Sequence, residues 1–373
     1  MSRPRARQAG ITIGRLPTGS ANAITDVPGI SVGHATVWRD EADPPAGRGI
    51  ARTGVTVLVP FGLSQLFDQP ISAGGAVLNG AGECTGFHVI REWGRLETPI
   101  FLTNTLGVGK VYDAATRLLI AADPRIGTND FTIPVVAECD DSRLNQAQAI
   151  QIEDGDVAAA LDSAGPEVAE GAVGAGTGMV CFGLKGGIGT ASRVIEPDRP
   201  GYPAVGESFT VGVLLLTNFG RLPNLTIAGV PVGRELSARG LGRPVVPEQG
   251  SCIAVVATDA PLDSRQLLRL ARRAGLGLAR TGSFAGHASG EIFLAVSTGR
   301  RLNRYPQPAI EETRLLSDLY LDGLFEAAVE ATEEAVLNSL FAAKSVTGVG
   351  GAHYQALPID ETIELLRHHR AIV

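Results

Sequence analysis

Short, almost uninterrupted apolar runs recur along the chain at 54–60 (GVTVLVP), 131–138 (FTIPVVAE), 209–218 (FTVGVLLLTN), 252–258 (CIAVVAT) and 291–297 (EIFLAVS). Runs of this length without polar alternation predict strands buried on both faces. A different period governs 263–280, where Leu267, Leu270, Ala271, Ala274 and Leu278 recur at steps of three and four between arginines. That spacing predicts an amphipathic helix, with Asp263 placed to cap it. A second long helix is predicted over 318–343 on Leu324, Ala327, Ala331, Ala335 and Leu340, with Glu330, Glu333 and Glu334 expected at more exposed positions. Strands apolar on both faces need covering layers, so the pattern implies a layered α/β architecture. The segment 241–249 (LGRPVVPEQ) has Pro and Gly but no period, and reads as an exposed loop entering the strand at Cys252. No internal repeat interrupts this order.

Composition sharpens the picture in one respect. The 47 glycines among 373 residues exceed the usual share of about 7%, so the backbone makes many tight turns and close approaches. With 44% hydrophobic and 19% charged residues the chain is that of an ordinary globular protein. A formal net charge of -7 argues against nucleic acid or an anionic membrane as partner, since both require clustered cations. The only basic cluster, Arg3, Arg5 and Arg7, is expected to form a frayed terminus, since no apolar stretch follows it as in a secretory signal. No run reaches the roughly 20 apolar residues that span a bilayer, and a cytoplasmic location is expected. Cys84, Cys139, Cys181 and Cys252 lie far apart and read as buried thiols. The histidines show no metal-binding spacing, so neither metal nor cofactor is expected.

Several places could carry chemistry. At the step Gly250-Ser251, between the 241–249 loop and an apolar strand, a serine hydroxyl could attack the preceding carbonyl, with Gly tolerating the bend this needs. Cleavage there would leave Ser251 with an α-amine of pKa about 7.7 to 8.0, a base on the same residue as the nucleophile. Taken alone, Gly-Ser is a common loop-to-strand junction. Ser289 and Glu291, two apart where GHASGE enters the strand at 291–297, point to one side. A carboxylate beside a hydroxyl can orient it and stabilise a nearby ammonium, though a solvent-facing strand edge would look the same. Asn218 closes the strand at 209–218, where its amide could donate to an oxyanion or simply start a turn. The glycine-rich stretches 174–178 (GAGTG) and 183–190 (GLKGGIGT) fit neither phosphate-loop nor dinucleotide spacing and read as tight loops or a hairpin. No G-x-S-x-G elbow is present.

Taken in order, the blocks ITDVPGISVGHATV (24–37), NGAGECTG (79–86), TNTLGVGKVYDA (103–114), GAGTGMVCFGLKGGIGTASR (174–193), TNFG (217–220), GSCIAVVATDAPL (250–262) and GHASGEIFLAVST (286–298) resemble the family of L-aminopeptidase/D-esterases and β-peptidyl aminopeptidases. These are peptidases whose N-terminal serine is exposed by autoproteolysis. The resemblance implies a four-layer αββα sandwich of the type shared with ornithine acetyltransferases. It implies a single catalytic domain over 1–373, cut between Gly250 and Ser251 into 1–250 and 251–373. Ser251 would be the nucleophile, Ser289 and Glu291 its assistants, and Asn218 a holder of the oxyanion. Short peptides, amides or esters with a small free N-terminal L, D or β-amino acid would be the substrates, and the cleaved protomers would form a homotetramer. One departure stands out: family members carry an aromatic residue near the Leu-Asn step after the VVAE strand, where this chain has Arg143 before Leu144 and Asn145. Two alternatives remain, an acyltransferase of the ornithine acetyltransferase kind, which would carry Thr in place of Ser251, and a non-catalytic binding protein on the same scaffold.

Overall fold

Two stacked sheets with helices on both outer faces make up the molecule, seen in a computed structural model that describes residues 3–242 and 249–372. The main strands are β1 (Ile30–Asp40), β2 (Ile50–Pro60), β3 (Ile71–Gly80), β4 (Arg95–Leu96), β5 (Ile100–Asn104), β6 (Val135–Cys139), β7 (Ile188–Ile195), β8 (Phe209–Asn218), β9 (Gln249–Thr258) and β10 (Ala288–Arg301). The long helices are α1 (Val108–Ala122), α2 (Asp154–Asp162), α3 (Ser264–Arg280) and α4 (Leu321–Ala342). One sheet has the order β1-β2-β5-β6 and the other β4-β3-β10-β9-β8-β7.

Alternation along the strands builds three apolar layers. Leu102 and Ala137 of the first sheet meet Ile253, Val255, Ile292 and Leu294 of the second between the sheets. Val111, Ala114 and Ala160 of α1 and α2 cover the other face of the first sheet. Leu267, Leu270 and Ala274 of α3, with Ala331 and Leu337 of α4, cover Ala254, Val256 and Phe293. The expected four-layer αββα sandwich is therefore the fold.

The predicted elements hold with informative exceptions. Helix α3 starts where Asp263 accepts from the Gln266 backbone N–H at 2.8 Å, while Gln266 accepts from Asp263 N–H at 3.1 Å, a reciprocal cap. The run 131–138 is strand only from Val135, because Pro134 has no N–H to give a ladder. Glu330, Glu333 and Glu334 are buried rather than exposed. Arg193, which is fully buried, pairs with Glu330 at 3.0 Å and Glu334 at 2.6 Å, while Arg280 pairs with Glu333 at 2.8 Å. The N-terminal arginines are not a frayed end either. Arg3 donates to the Phe341 carbonyl at 2.8 Å, Arg5 pairs with Glu170 at 2.7 Å and Arg7 with Glu334 at 2.9 Å. Most of the expected 241–249 loop, residues 243–248, lies outside the described residues. The four cysteines are free and buried, and among the described residues no helix is long and apolar enough to cross a membrane.

One connection positions the site. Strands β9 and β10 run parallel in a sheet whose other neighbours are antiparallel, a pairing that requires a crossover such as α3. It sets Gly250 opposite Ser289 and Ser251 opposite Gly290. Antiparallel β8 brings its last residue, Asn218, opposite Ser251 from the other side.

The Arg193 network generates a stability test. Replacing Arg193 by Ala leaves Glu330 and Glu334 buried without their main counter-charge, a loss of about 3–5 kcal/mol. A lower urea midpoint at unchanged slope is the expected result, with partial recovery when Glu334→Gln is added.

Candidate active site

The expected site residues converge on the ends of three adjacent strands, but they divide between two faces. Ser251 shares a face of β9 with Ile253, which belongs to the layer between the sheets. Its hydroxyl lies beside the thiol of Cys139, at the end of β6 in the opposing sheet, and that thiol donates to the Leu216 carbonyl at 3.7 Å. Burial drives that thiol well above its ordinary range, so Cys139 is a neutral neighbour rather than a nucleophile. Ser289 and Glu291 share the other face of β10 with Phe293, which packs in the helix-side core. Ser289 Oγ donates to Glu291 Oε1 in a short hydrogen bond, and both residues are buried.

The pair adjoins the backbone of the Gly250-Ser251 step rather than the Ser251 hydroxyl. A Cβ on Gly250 would lie 3.3 Å from Ser289 Oγ, 2.9 Å from the Asn218 carbonyl oxygen and 3.1 Å from Phe219 Cα. Gly250 is thus required by space, within a regular strand that begins at Gln249. The bend expected at this step is absent, since Gly250 and Ser251 both pair within the β9 ladder.

Asn218 is held on both ends of its amide. Its Oδ1 accepts from Val180 N–H at 3.0 Å and its Nδ2 donates to the Asp140 carbonyl at 2.8 Å, leaving one further N–H. Val180 belongs to a small hairpin, Val180–Cys181 with Leu184–Lys185. The buried Lys185 ammonium ties the surrounding loop by donating to the carbonyls of Gly176, Met179 and Gly186 at 3.0, 2.6 and 2.7 Å. The two glycine-rich stretches therefore serve the site as a short 3-10 turn over Gly174–Gly178 and as this hairpin leading into β7.

Ser251, Gly250 and Asn218 open into a cavity of about 830 Å³, a size suited to a small molecule. Its lining adds residues that the sequence reading missed, chief among them Glu138 and Asp140. Glu138 is the penultimate residue of β6 and is buried. It accepts from Glu83 N–H at 2.9 Å and from Thr105 Oγ1. Burial, with Asp140 and Glu83 nearby, raises its carboxyl above the ordinary range. Among the described residues no cation pairs with it. The usable signal was the acid closing an apolar run, the same signal that drew attention to Asn218. Arg143 also lines the cavity.

Residues 22–354 match the model of peptidase family S58. The chain belongs to that family. It is a serine aminopeptidase of the N-terminal-nucleophile kind, and its family relatives extend over nearly its whole length. The chain is 41% identical to the β-peptidyl aminopeptidase of Sphingosinicella microcystinivorans over 99% of its own length and 93% of that protein. Among solved structures, the Burkholderia sp. β-aminopeptidase is 40% identical with a TM-score of 0.86, covering 98% of this chain and 99% of that one. The L-aminopeptidase D-Ala-esterase/amidase of Ochrobactrum anthropi is 37% identical with a TM-score of 0.88, covering all of both chains.

In this S58 peptidase the cavity wall after β6 rests on Asp141, which is fully buried, accepts from Asn145 Nδ2 at 2.9 Å and has its carboxyl pushed up to about 7 by burial. A carboxyl raised on folding binds more protons in the folded state between its unfolded value and pH 7. Its contribution to stability therefore falls as pH rises through that window. Asp141→Asn removes this decline, so the melting temperature of the variant relative to wild type should rise between pH 5 and pH 8.

Proposed function

We propose that this peptidase activates itself by severing the Gly250-Ser251 bond and then removes small N-terminal residues from short peptides, amides or esters. The alignment of Gly250, Ser251, Ser289 and Asn218 across three paired strands supports this reading most directly. In the first step Ser251 Oγ adds to the Gly250 carbonyl carbon and the C–N bond breaks, giving an ester and a free Ser251 amine. Water then cleaves the ester and releases the Gly250 carboxylate. A nucleophile fixed against its own carbonyl gains the rate advantage of an intramolecular reaction.

The new amine emerges beside Ser289, where the Glu291 carboxylate, acting through the Ser289 hydroxyl, favours its protonated form. During turnover the amine accepts the Ser251 hydroxyl proton as Oγ attacks the substrate carbonyl. The remaining N–H of Asn218 stabilises the oxyanion. The Ser251 ammonium then protonates the departing amine, and water resolves the acyl-enzyme by the same path in reverse.

Glu138 supplies the amino-terminal selectivity. A buried carboxylate without a counter-ion gains most from a ligand ammonium, and its place in the cavity with Ser251 puts a substrate's free amine next to the attacked carbonyl. Assembly of cleaved protomers into a homotetramer would cover exposed apolar side chains such as Phe284 and Leu319.

Two outcomes follow. Wild-type protein should run as two fragments on a denaturing gel, the smaller beginning Ser-Cys-Ile-Ala, while Ser251→Ala runs as one intact band. An intact wild-type chain that still turns over substrate would refute the cleavage mechanism. Glu138→Gln should raise KM for β-alanyl or L-alanyl substrates by about tenfold or more, the scale of a charged hydrogen bond, with a smaller effect on kcat. Steady-state kinetics on the cleaved variant measure this.

A further inference from the structure

A single peptide plane joins a buried cation to the end of β8. Its carbonyl, that of Met179, accepts from Lys185 Nζ at 2.6 Å and from Gly186 N–H at 3.3 Å. Its N–H, that of Val180, lies on the other side of the same rigid unit and donates to Asn218 Oδ1 at 3.0 Å. Lys185 is fully buried, and its ammonium also donates to the carbonyls of Gly176 and Gly186 at 3.0 and 2.7 Å. These acceptors are carbonyls rather than carboxylates, and burial pushes the ammonium down to about 7. A methionine would fill the space without the cost of burying a charge, so the charge itself calls for a role. The hairpin and the turn after it grip the neighbours of Asn218 as well. Phe182 N–H donates to the Phe219 carbonyl at 2.7 Å and Thr217 N–H to the Gly187 carbonyl at 3.0 Å, while Gly187 N–H donates to Thr217 Oγ1 at 3.2 Å.

We infer that Lys185 is a positioning residue for Asn218, fixing the Met179–Val180 peptide so that the Asn218 amide keeps its spare N–H for the oxyanion. The inference rests on the aminopeptidase reading, which gives Asn218 that task. An amide side chain can turn over with little change of shape, so its orientation is set by the groups it meets. Val180 N–H requires an acceptor, and the Asp140 carbonyl, 2.8 Å from Nδ2, requires a donor. Both contacts select one orientation and leave one Nδ2 hydrogen over, on a side chain that lines the cavity with Ser251. A Met179–Val180 peptide turned over would present its carbonyl to Oδ1 and reverse that selection. Lys185 opposes the turn, because its ammonium would lose its shortest contact. The charge also polarises the Met179 carbonyl, which makes Val180 N–H a stronger donor along the chain of hydrogen bonds.

The test measures kcat and KM of the cleaved enzyme on L-alanyl p-nitroanilide. Lys185→Met removes both charge and donors, whereas Lys185→Gln keeps neutral donors. An oxyanion exists only in the transition state, so the loss should fall on kcat with KM little changed. Removing an oxyanion donor outright costs about 10²–10³-fold in kcat. Misplacing it in Lys185→Met should therefore cost about tenfold or more, and Lys185→Gln should lose less. Asn218→Ala should also lower kcat, and adding Lys185→Met to it should bring no further loss, because the lysine acts through that amide. Wild-type kcat in Lys185→Met, or losses that add in the double variant, would overturn the inference while leaving the aminopeptidase reading in place. Wild-type kcat in Asn218→Ala would remove the oxyanion task and the inference together. For lysine variants that stay uncleaved, the crystal structure of Lys185→Gln decides. A turned Met179–Val180 peptide or a rotated Asn218 amide supports the assignment, and an unchanged arrangement of both defeats it.

Discussion

The parallel pairing of β9 with β10 is the constraint on which the site depends. Every other contact in that sheet is antiparallel, so its neighbours could be joined by simple turns. A parallel pair cannot be, and α3 exists in this position to make the crossover. Because both strands run the same way, their first residues lie at one edge, and a fixed register sets the Gly250-Ser251 step beside Ser289. A slip of one residue would send Ser251 to the helix side and Glu291 to the space between the sheets. The apolar faces on both sides of these strands hold the register against such a slip.

Two layers then share the chemistry. The space between the sheets holds the Ser251 hydroxyl, which opens into the cavity that Glu138 also lines. The helix-facing side holds Ser289 and Glu291, beside the Gly250-Ser251 step. In the proposed mechanism this division separates the attacking hydroxyl from the pair that tunes the base, with the strand backbone as the wall between them. Burial on both sides keeps water from weakening the electrostatics.

Charge is handled with equal economy away from the cavity. Arg193 neutralises Glu330 and Glu334 inside the helix-side core, and Lys185 caps carbonyls around the hairpin that steadies Asn218. These buried ions have partners. Glu138 is different, since no cation pairs with it among the described residues, and the proposed function gives that place to the substrate ammonium.

Much was legible from sequence. Apolar runs gave the central strands because burial on both faces leaves no room for polar residues, and the helix at α3 announced itself through period and cap. Ser251, Ser289, Glu291 and Asn218 stood at strand ends, where position along the chain is enough to notice them. Periodicity could not show that Glu330 and Glu334 are buried, because their exposure depends on Arg193, far away in the chain. Nor could it reveal Glu138 as part of the site, because β6 lies in the other sheet. Local sequence fixes which residues can form an element and which face each occupies, since those depend on neighbours a few positions away. Only tertiary structure decided which elements meet, and therefore which charges are paired and which acids share a cavity with Ser251, since those are properties of long-range packing.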